Sequence, residues 1–138
     1  MTNMGVEPFL MCSSVIAIIA QRLLRKICVH CKTPYVPPEP LVKKLGLDKL
    51  TKEKEITLYR GKGCKYCFEL GYSGRVGITE VLVLTPKVKE LIMQRAGEYK
   101  IKEVGRQEGM VTMREDGLIK ALEGLTSLEE ILRVTAPD

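Results

Sequence analysis

Two apolar stretches stand out along this chain, and they predict different elements. The first, Phe9 to Ala20, is apolar on nearly all sides, and a serine at position 13 or 14 can cap a buried helix that runs on to Leu23. The second, Val76 to Leu84, is rich in β-branched residues and too continuous to have a solvated face. It therefore predicts a central strand.

Between these stretches the pattern predicts an excursion away from the core. Prolines at positions 34, 37, 38 and 40 break regular structure and lead into a short helix, Leu41 to Leu45, that ends at Gly46. Ile56 to Arg60 then alternates as a short strand. These elements are too short to form a core of their own.

Helices follow the second apolar stretch. Thr85 and Pro86 provide a cap and a first-turn proline for a helix with Val88, Leu91 and Ile92 on one face. Three more are predicted: Lys100 to Gln107, Thr112 to Leu122, and one opened by a capping box from Ser127 to Glu130. The fold class is thus α/β with helices at the C-terminal end.

Composition and charge limit the number of domains and the kinds of partner that this chain can have. The chain has 138 residues, 45% of them hydrophobic, which suits one main domain with a small appendage. Its formal charge is +5, and most of the excess lies in the first half, which favours an acidic partner. With no Trp and two Phe, the stacking platforms that single-stranded nucleic acids need are scarce.

The apolar stretch at Phe9 to Ala20 is about half of the ~20 residues that a membrane-spanning helix requires. The residues before this stretch also lack the positive charges with which a signal peptide begins. We therefore expect a cytoplasmic protein with no direct membrane insertion.

Four of the five cysteines form two CxxC corners, Cys28 with Cys31 and Cys64 with Cys67. Each corner presents two thiolates from one tight turn, and four sulfurs meet the tetrahedral preference of zinc. Because four ligands leave no open position, the predicted zinc is structural, and it closes a loop inserted between two parts of the core. Cys12 stands apart and is interpreted as a small buried hydrophobe.

Other interpretations of the corners stay open at this point. A thioredoxin-like enzyme uses one CxxC at a helix start, and an iron-sulfur cluster also takes four cysteines. His30 could replace one cysteine as a ligand, although a solvated or neighbouring role fits its position better. A free-standing basic zinc module that binds nucleic acid is the alternative from a different functional class.

Catalytic motifs are absent from the sequence. No GxxxxGK[ST] phosphate loop occurs, and the sole histidine lies inside a metal corner, so no Ser/His/Asp set can be assembled. We therefore predict no catalytic residues and no nucleotide hydrolysis by this chain alone.

Taken together, several strings resemble the ATPases of type II secretion and type IV pilus assembly. They are Asn3 to Leu10, Ala20 to Leu23, the two CxxC corners, Gly71 to Ile78 and Thr126 to Thr135. The chain departs from the family pattern at Val29, where proline is usual, and at Leu70, where a small hydroxyl residue is frequent. Neither position is a ligand.

The resemblance implies a fragment that lacks the phosphate loop and the Walker B strand. Residues 1–27 would end a RecA-like motor domain, 28–74 would form the zinc module, 75–85 would return to the core, and 86–138 would form a helical domain. Expected partners are the rest of the ATPase, neighbouring subunits of a hexamer, and an inner-membrane platform protein with its cytoplasmic domains. ATP and Mg²⁺ would bind only in the full-length parent protein. Arg22 and Arg75 could contact the nucleotide, although such arginines more often anchor a strand end or a buried carboxylate.

Overall fold

The computed structural model describes residues 16–52 and 54–135, so the predicted cap near position 13 and Cys12 lie outside the described residues. The chain is α/β, with small sheets and short helices. Its strands are β1 (Ala17–Ile27), β2 (Lys32–Tyr35), β3 (Leu58–Gly61) and β4 (Tyr72–Val83). Its α-helices are α1 (Glu39–Leu45), α2 (Leu47–Leu50), α3 (Pro86–Met93), α4 (Glu98–Gln107), α5 (Met113–Leu122) and α6 (Leu128–Val134).

The predicted helix through Leu23 is wrong over its described part, because β1 occupies Ala17–Ile27. Periodicity cannot separate a short apolar helix from a strand, and here β4 supplies a pairing partner. The predicted burial on all sides is also wrong, since Ile19 is 68% exposed. Extended backbone turns alternate side chains to opposite faces, so only part of an apolar run can be buried.

Strand β4 extends the predicted strand at Val76 to Leu84 toward the N-terminus. It pairs with β1 in a two-stranded sheet, and the amide hydrogen bonds from Leu84 to Ile16 (2.8 Å) and from Cys28 to Gly71 (3.0 Å) make the pair antiparallel. Within the described residues it is therefore not a central strand. The even-numbered face carries buried Ile78, whereas Val81 and Val83 on the other face are exposed.

A second antiparallel ribbon, β2 with β3, forms inside the loop that the cysteine corners delimit. Lys32 lies opposite Gly61 and Tyr35 opposite Leu58, which confirms the short strand predicted near Ile56 to Arg60. Helix α1 covers the predicted residues but begins earlier, at Glu39, with Pro40 in its first turn. It ends at Gly46 as predicted, where a φ of 72° is the left-handed conformation that closes a helix.

Of the C-terminal helices, α3 and α6 begin where their capping residues predict. Helix α4 begins at Glu98 rather than at the predicted Lys100, and α5 begins at Met113 rather than at Thr112. The Thr85 side chain accepts a hydrogen bond from the Val88 amide at the start of α3, and Val88 and Ile92 are buried. Ser127 likewise accepts from the Glu130 amide at the start of α6. The reciprocal half of the predicted capping box is replaced, because the Glu130 carboxylate binds two arginines instead.

The chain divides into two compact units, each with its own apolar core. Among the described residues, one unit comprises 16–20 and 80–112, and the other comprises 21–52, 54–79 and 113–135. The core of the first is Leu84, Val88, Ile92 and Val104. The core of the second is Leu24, Val42, Leu47, Leu58, Ile78, Leu118, Ala121, Leu128 and Ile131. Helices α3 and α4 belong to the first unit and α5 and α6 to the second, while the domain boundaries predicted for a parent ATPase stay predictions.

Candidate metal centre

The first cysteine corner begins directly at the end of β1. Cys28 is 1% exposed, and its amide donates a hydrogen bond to the Gly71 carbonyl at 3.0 Å. The Cys31 amide turns back to the Cys28 carbonyl at 3.4 Å, and the Cys31 carbonyl accepts from the Lys62 amide at 3.3 Å. These bonds attach the first corner to the segments on both sides of the second.

The second corner is a 3₁₀ turn, Lys65–Cys67, that begins after Cys64. The Cys67 amide donates to the Cys64 carbonyl at 3.3 Å. In return, the Cys67 Sγ accepts from the Cys64 amide at 3.3 Å and from the Gly71 amide at 3.2 Å. Backbone donors to a sulfur stabilise its thiolate form and orient it as a ligand.

Glycine is required where the two segments cross. A Cβ at Gly61 would lie 2.1 Å from the Gly71 carbonyl oxygen, and a Cβ at Gly63 would lie 2.9 Å from the carbonyl oxygen of Glu69. Both clashes are with backbone, which cannot rotate away. This close approach brings the Gly71 amide to the sulfur of Cys67.

The four predicted sulfurs converge on one point. Those of Cys28, Cys31, Cys64 and Cys67 all lie within 4.8 Å of one another. The separations are 3.8 Å from Cys28 to Cys64, 3.9 Å from Cys31 to Cys67 and 3.6 Å from Cys64 to Cys67. Four sulfurs placed tetrahedrally about 2.3 Å from a zinc ion would be about 3.8 Å apart.

The donor set therefore fits a single tetrahedral metal ion. A multinuclear iron-sulfur cluster would place sulfurs on different irons and separate them further, and a redox CxxC would not need a second corner beside it. The geometry is compatible with zinc bound by all four thiolates.

The surroundings of the thiols shift their pKa values in opposite directions. Burial raises the pKa of Cys31 to about 11, against a weaker backbone hydrogen bond from Gly63, and burial likewise raises the pKa of Cys64. At Cys67 burial also acts to raise the pKa, but the amides of Gly71 and Cys64 outweigh it and lower the pKa to about 6. Of these three thiols, Cys67 is therefore the one that deprotonates most readily for a metal.

His30 lies beside the cluster and is not part of it. Its ring stacks on that of Tyr66, with centroids 4.1 Å apart and planes 26° apart, and the side chain is exposed. The solvated role predicted for it fits this position better than metal binding. Arg22 and Arg75 are both exposed, and a nucleotide contact by either stays a prediction.

Sequence reasoning missed Arg25 and misjudged Glu130. Glu130 is predicted as the last residue of a capping box at a helix start, yet its side chain is 1% exposed and binds Arg25 with distances of 2.8 to 3.1 Å. Arg25 also lies over the Tyr72 ring at 4.2 Å. A glutamate that follows a serine cap has the same pattern whether it is exposed or buried, so no sequence signal marked it.

Helices long and apolar enough to cross a bilayer do not occur among the residues described.

The comparisons with known proteins agree with one another. The type II/IV secretion system protein family matches residues 1–133. The chain is 43% identical over 136 residues to the type IV pilus assembly ATPase PilB of Thermus thermophilus, covering 96% of this chain and 15% of that protein. It is 41% identical over 135 residues to type II secretion system protein E of Pseudomonas aeruginosa, covering 98% and 26%.

A third relative, type II secretion system protein E of Aeromonas hydrophila, is 41% identical over 138 residues, which are 100% of this chain and 27% of that protein. The chain thus spans 15% to 27% of the length of these relatives. Because the family match extends over nearly all of the sequence and includes both cysteine corners, the chain belongs to the type II/IV secretion system protein family.

Proposed function

We propose that this chain is the zinc-binding and helical C-terminal part of a hexameric ATPase that powers type II secretion or type IV pilus assembly. The observation that carries the proposal is the four-sulfur cluster, in a chain that is 43% identical to a pilus assembly ATPase. The nucleic-acid module considered above is not favoured by the family match.

In the proposed role, Cys28, Cys31, Cys64 and Cys67 hold one structural zinc. When bound by four thiolates, zinc cross-links the loop and has no position left for water or substrate. The chain's own residues orient the ligands, since the Gly71 and Cys64 amides point at the sulfur of Cys67. The loop closed by zinc would then be a rigid part of the second unit.

Nucleotide chemistry is assigned to the rest of the parent protein. No phosphate loop occurs in this sequence, so ATP and Mg²⁺ would bind upstream, in a RecA-like motor domain to which β1 and β4 would belong. On its own this chain would not be an enzyme. It would transmit the nucleotide-driven movements of the motor domain to neighbouring domains and subunits by direct contact.

The proposed location is the cytoplasmic face of the inner membrane, held there by partners. An inner-membrane platform protein and its associated cytoplasmic domains are the expected contacts. The module's excess of lysines supports an acidic partner surface, because complementary charges accelerate and orient association.

Metal analysis tests the structural zinc directly. Anaerobically purified protein should contain one zinc per chain, and Cys64→Ser should remove it, while Cys12→Ser, outside both corners, should keep it. Zinc retained in full by Cys64→Ser, stoichiometric iron in place of zinc, or native protein with four freely alkylated cysteines would refute the site.

A genetic test addresses the motor assignment. Deletion of the gene should abolish protein secretion or pilus assembly, and the full-length gene, but not a Cys64→Ser version, should restore it. Normal secretion and pilus assembly in the deletion strain would reject the proposed function, whatever metal the protein binds.

A further inference from the structure

Apolar side chains crowd the surface around the metal corners, although such residues normally lie inside. Val29 is 69% exposed, Tyr66 59%, Phe68 86% and Leu70 66%. We call these four residues the corner patch. Val29 and Tyr66 line one cavity, and Phe68 and Leu70 follow Tyr66 closely in the chain. Exposed apolar groups gathered in one region of the surface are typical of interaction sites.

The backbone holds the most exposed member in an unusual conformation. Phe68 and Glu69 have φ of 54° and 61°, a left-handed region that large side chains rarely adopt. Hydrogen bonds fix this turn, from the Glu69 amide to the Cys64 carbonyl at 2.8 Å and from the Leu70 amide to the Cys67 carbonyl at 3.1 Å. Glycine would occupy the turn with less strain, so the fold maintains an outward aromatic residue at an energetic cost.

A small cavity adjoins the patch. It has a volume of about 240 Å³ and is lined by Lys26, Ile27, Cys28, Val29, His30, Tyr66 and Ser73. This is below the roughly 300–1,000 Å³ of sites that enclose a whole small molecule. The cavity suits one inserted side chain, and the stacked rings of Tyr66 and His30 form a wall of the kind that anchors protein interfaces.

The charges around the patch indicate what kind of partner would bind there. Lys26 lines the cavity, and the Lys65 ammonium lies over the Tyr66 ring at 5.3 Å. Two cations beside apolar groups match an acidic surface. An anionic lipid bilayer fits less well, because Glu69 lies between Phe68 and Leu70 and would be pressed against the headgroups, whereas a folded partner can leave that carboxylate in solvent.

We propose that the corner patch docks an acidic segment of a protein partner, which inserts one apolar side chain into the cavity beside Tyr66. The inference deepens the proposed function, since it assigns the partner contact to these residues rather than to the lysines of the module in general.

Site-specific cross-linking in the full-length protein, in its native cells, tests the contact. Photoreactive benzoylphenylalanine in place of Phe68 should cross-link to a segment of one other protein with net negative charge, and K26E/K65E should abolish the cross-link. Benzoylphenylalanine in place of Tyr99, which is 80% exposed in the other unit, is the control. A cross-link to lipid, to a second copy, to a neutral or basic segment, or none at all would overturn the proposal.

A functional comparison separates this inference from the proposed function. F68S/L70S in the full-length protein should retain its zinc and its ATP hydrolysis but reduce secretion or pilus assembly at least tenfold, and Y99S should not. If deletion of the gene abolishes the process while F68S/L70S supports it normally, the docking surface is wrong and the motor assignment stands. If the deletion has no effect, the motor assignment itself fails, and the cross-link alone then decides the docking surface.

Discussion

At the scale of single residues, Glu130 joins two distant parts of the second unit. Its carboxylate accepts from the Arg25 amide at 2.8 Å and from the guanidinium groups of Arg25 and Arg133 at 2.8 to 3.1 Å. The bonds from Arg133 and then Arg25 lower the pKa of Glu130 to about 2, although burial opposes them. The buried charge is stable because every partner is a cation or an amide.

Replacement of this carboxylate should weaken folding. We expect E130Q to lower the free energy of unfolding in urea by about 1–3 kcal/mol, since the amide nitrogen that replaces one carboxylate oxygen cannot accept a hydrogen bond and would face the arginine donors. Glu129 is exposed, so E129Q is the matched control and should change stability by less than about 0.5 kcal/mol. Equal effects of the two substitutions would contradict the role of Glu130.

The same carboxylate predicts a pH dependence. Its folded-state pKa of about 2 lies below the ordinary value of 4.5, so its contribution is complete above pH 4.5 and is lost as the pH falls toward 2. The difference in unfolding free energy between the native protein and E130Q should therefore shrink as the pH falls from 5 to 2. The difference cancels acid effects on the thiols, which both proteins share, and a pH-independent value would exclude this assignment.

Gly61 allows a further prediction at the residue scale. A methyl group there would meet the Gly71 carbonyl oxygen at 2.1 Å, so the strand and the turn must separate and draw the Gly71 amide away from Cys67. We expect G61A to weaken zinc affinity at least about tenfold, as loss of groups that orient metal ligands does. G97A, where a Cβ would meet nothing within 4 Å, should leave zinc affinity unchanged in a chelator competition assay.

At the scale of elements, α3 and α6 begin in the same way but differ in what surrounds the cap. Thr85 of α3 accepts one hydrogen bond, from the Val88 amide at 3.3 Å. Ser127 of α6 accepts from the Glu130 amide at 3.3 Å and also shares a 2.6 Å hydrogen bond with the Tyr72 hydroxyl. Ser127 therefore connects the helix to the first residue of β4 as well as capping it.

This difference predicts unequal costs for the two caps. T85A should lower the free energy of unfolding by about 1 kcal/mol, the usual effect of losing a cap. S127A should cost more, because it also leaves the Tyr72 hydroxyl without its partner. Y72F removes only that second bond, and thermal unfolding of S127A, Y72F and the double variant should show a coupling of about 0.5 kcal/mol or more. Additive effects would mean that the 2.6 Å contact stabilises nothing.

At the scale of the whole molecule, the metal loop is long and its elements are small. The chain between Cys31 and Cys64 contains a two-stranded ribbon and two short helices, and isolated ribbons are marginally stable in water. The four sulfurs close this segment on itself, so loop order and metal binding should be coupled.

Metal removal tests that coupling. Chelation should accelerate hydrogen exchange at the amides of Lys62 and Gly71, which bond to Cys31 and Cys67, by at least about tenfold. The amide of Val88, at the start of α3 in the other unit, should change far less. Exchange rates unaffected by chelation in the loop would show that zinc does not hold it closed.

Much of the local structure followed from residues that act on their neighbours. Thr85 with Pro86, Gly46 and Ser127 marked the ends of helices, because caps and left-handed turns depend on a few adjacent dihedrals. The β1 strand could not be predicted in the same way. Its sequence suits a helix equally well, and β4, some 50 residues further along the chain, decides the matter by pairing with it.

The sequence by itself determined which atoms could bind a metal, since two CxxC corners can offer four sulfurs in any fold that brings them together. Only the tertiary structure decided that the sulfurs lie at tetrahedral separations, that Glu130 is buried between two arginines, and that Phe68 points outward. The physical reason is the distance along the chain between the residues that determine each property. Ligand chemistry and capping are properties of residues close in sequence, whereas burial, pairing and exposure depend on segments that meet only after the chain has folded.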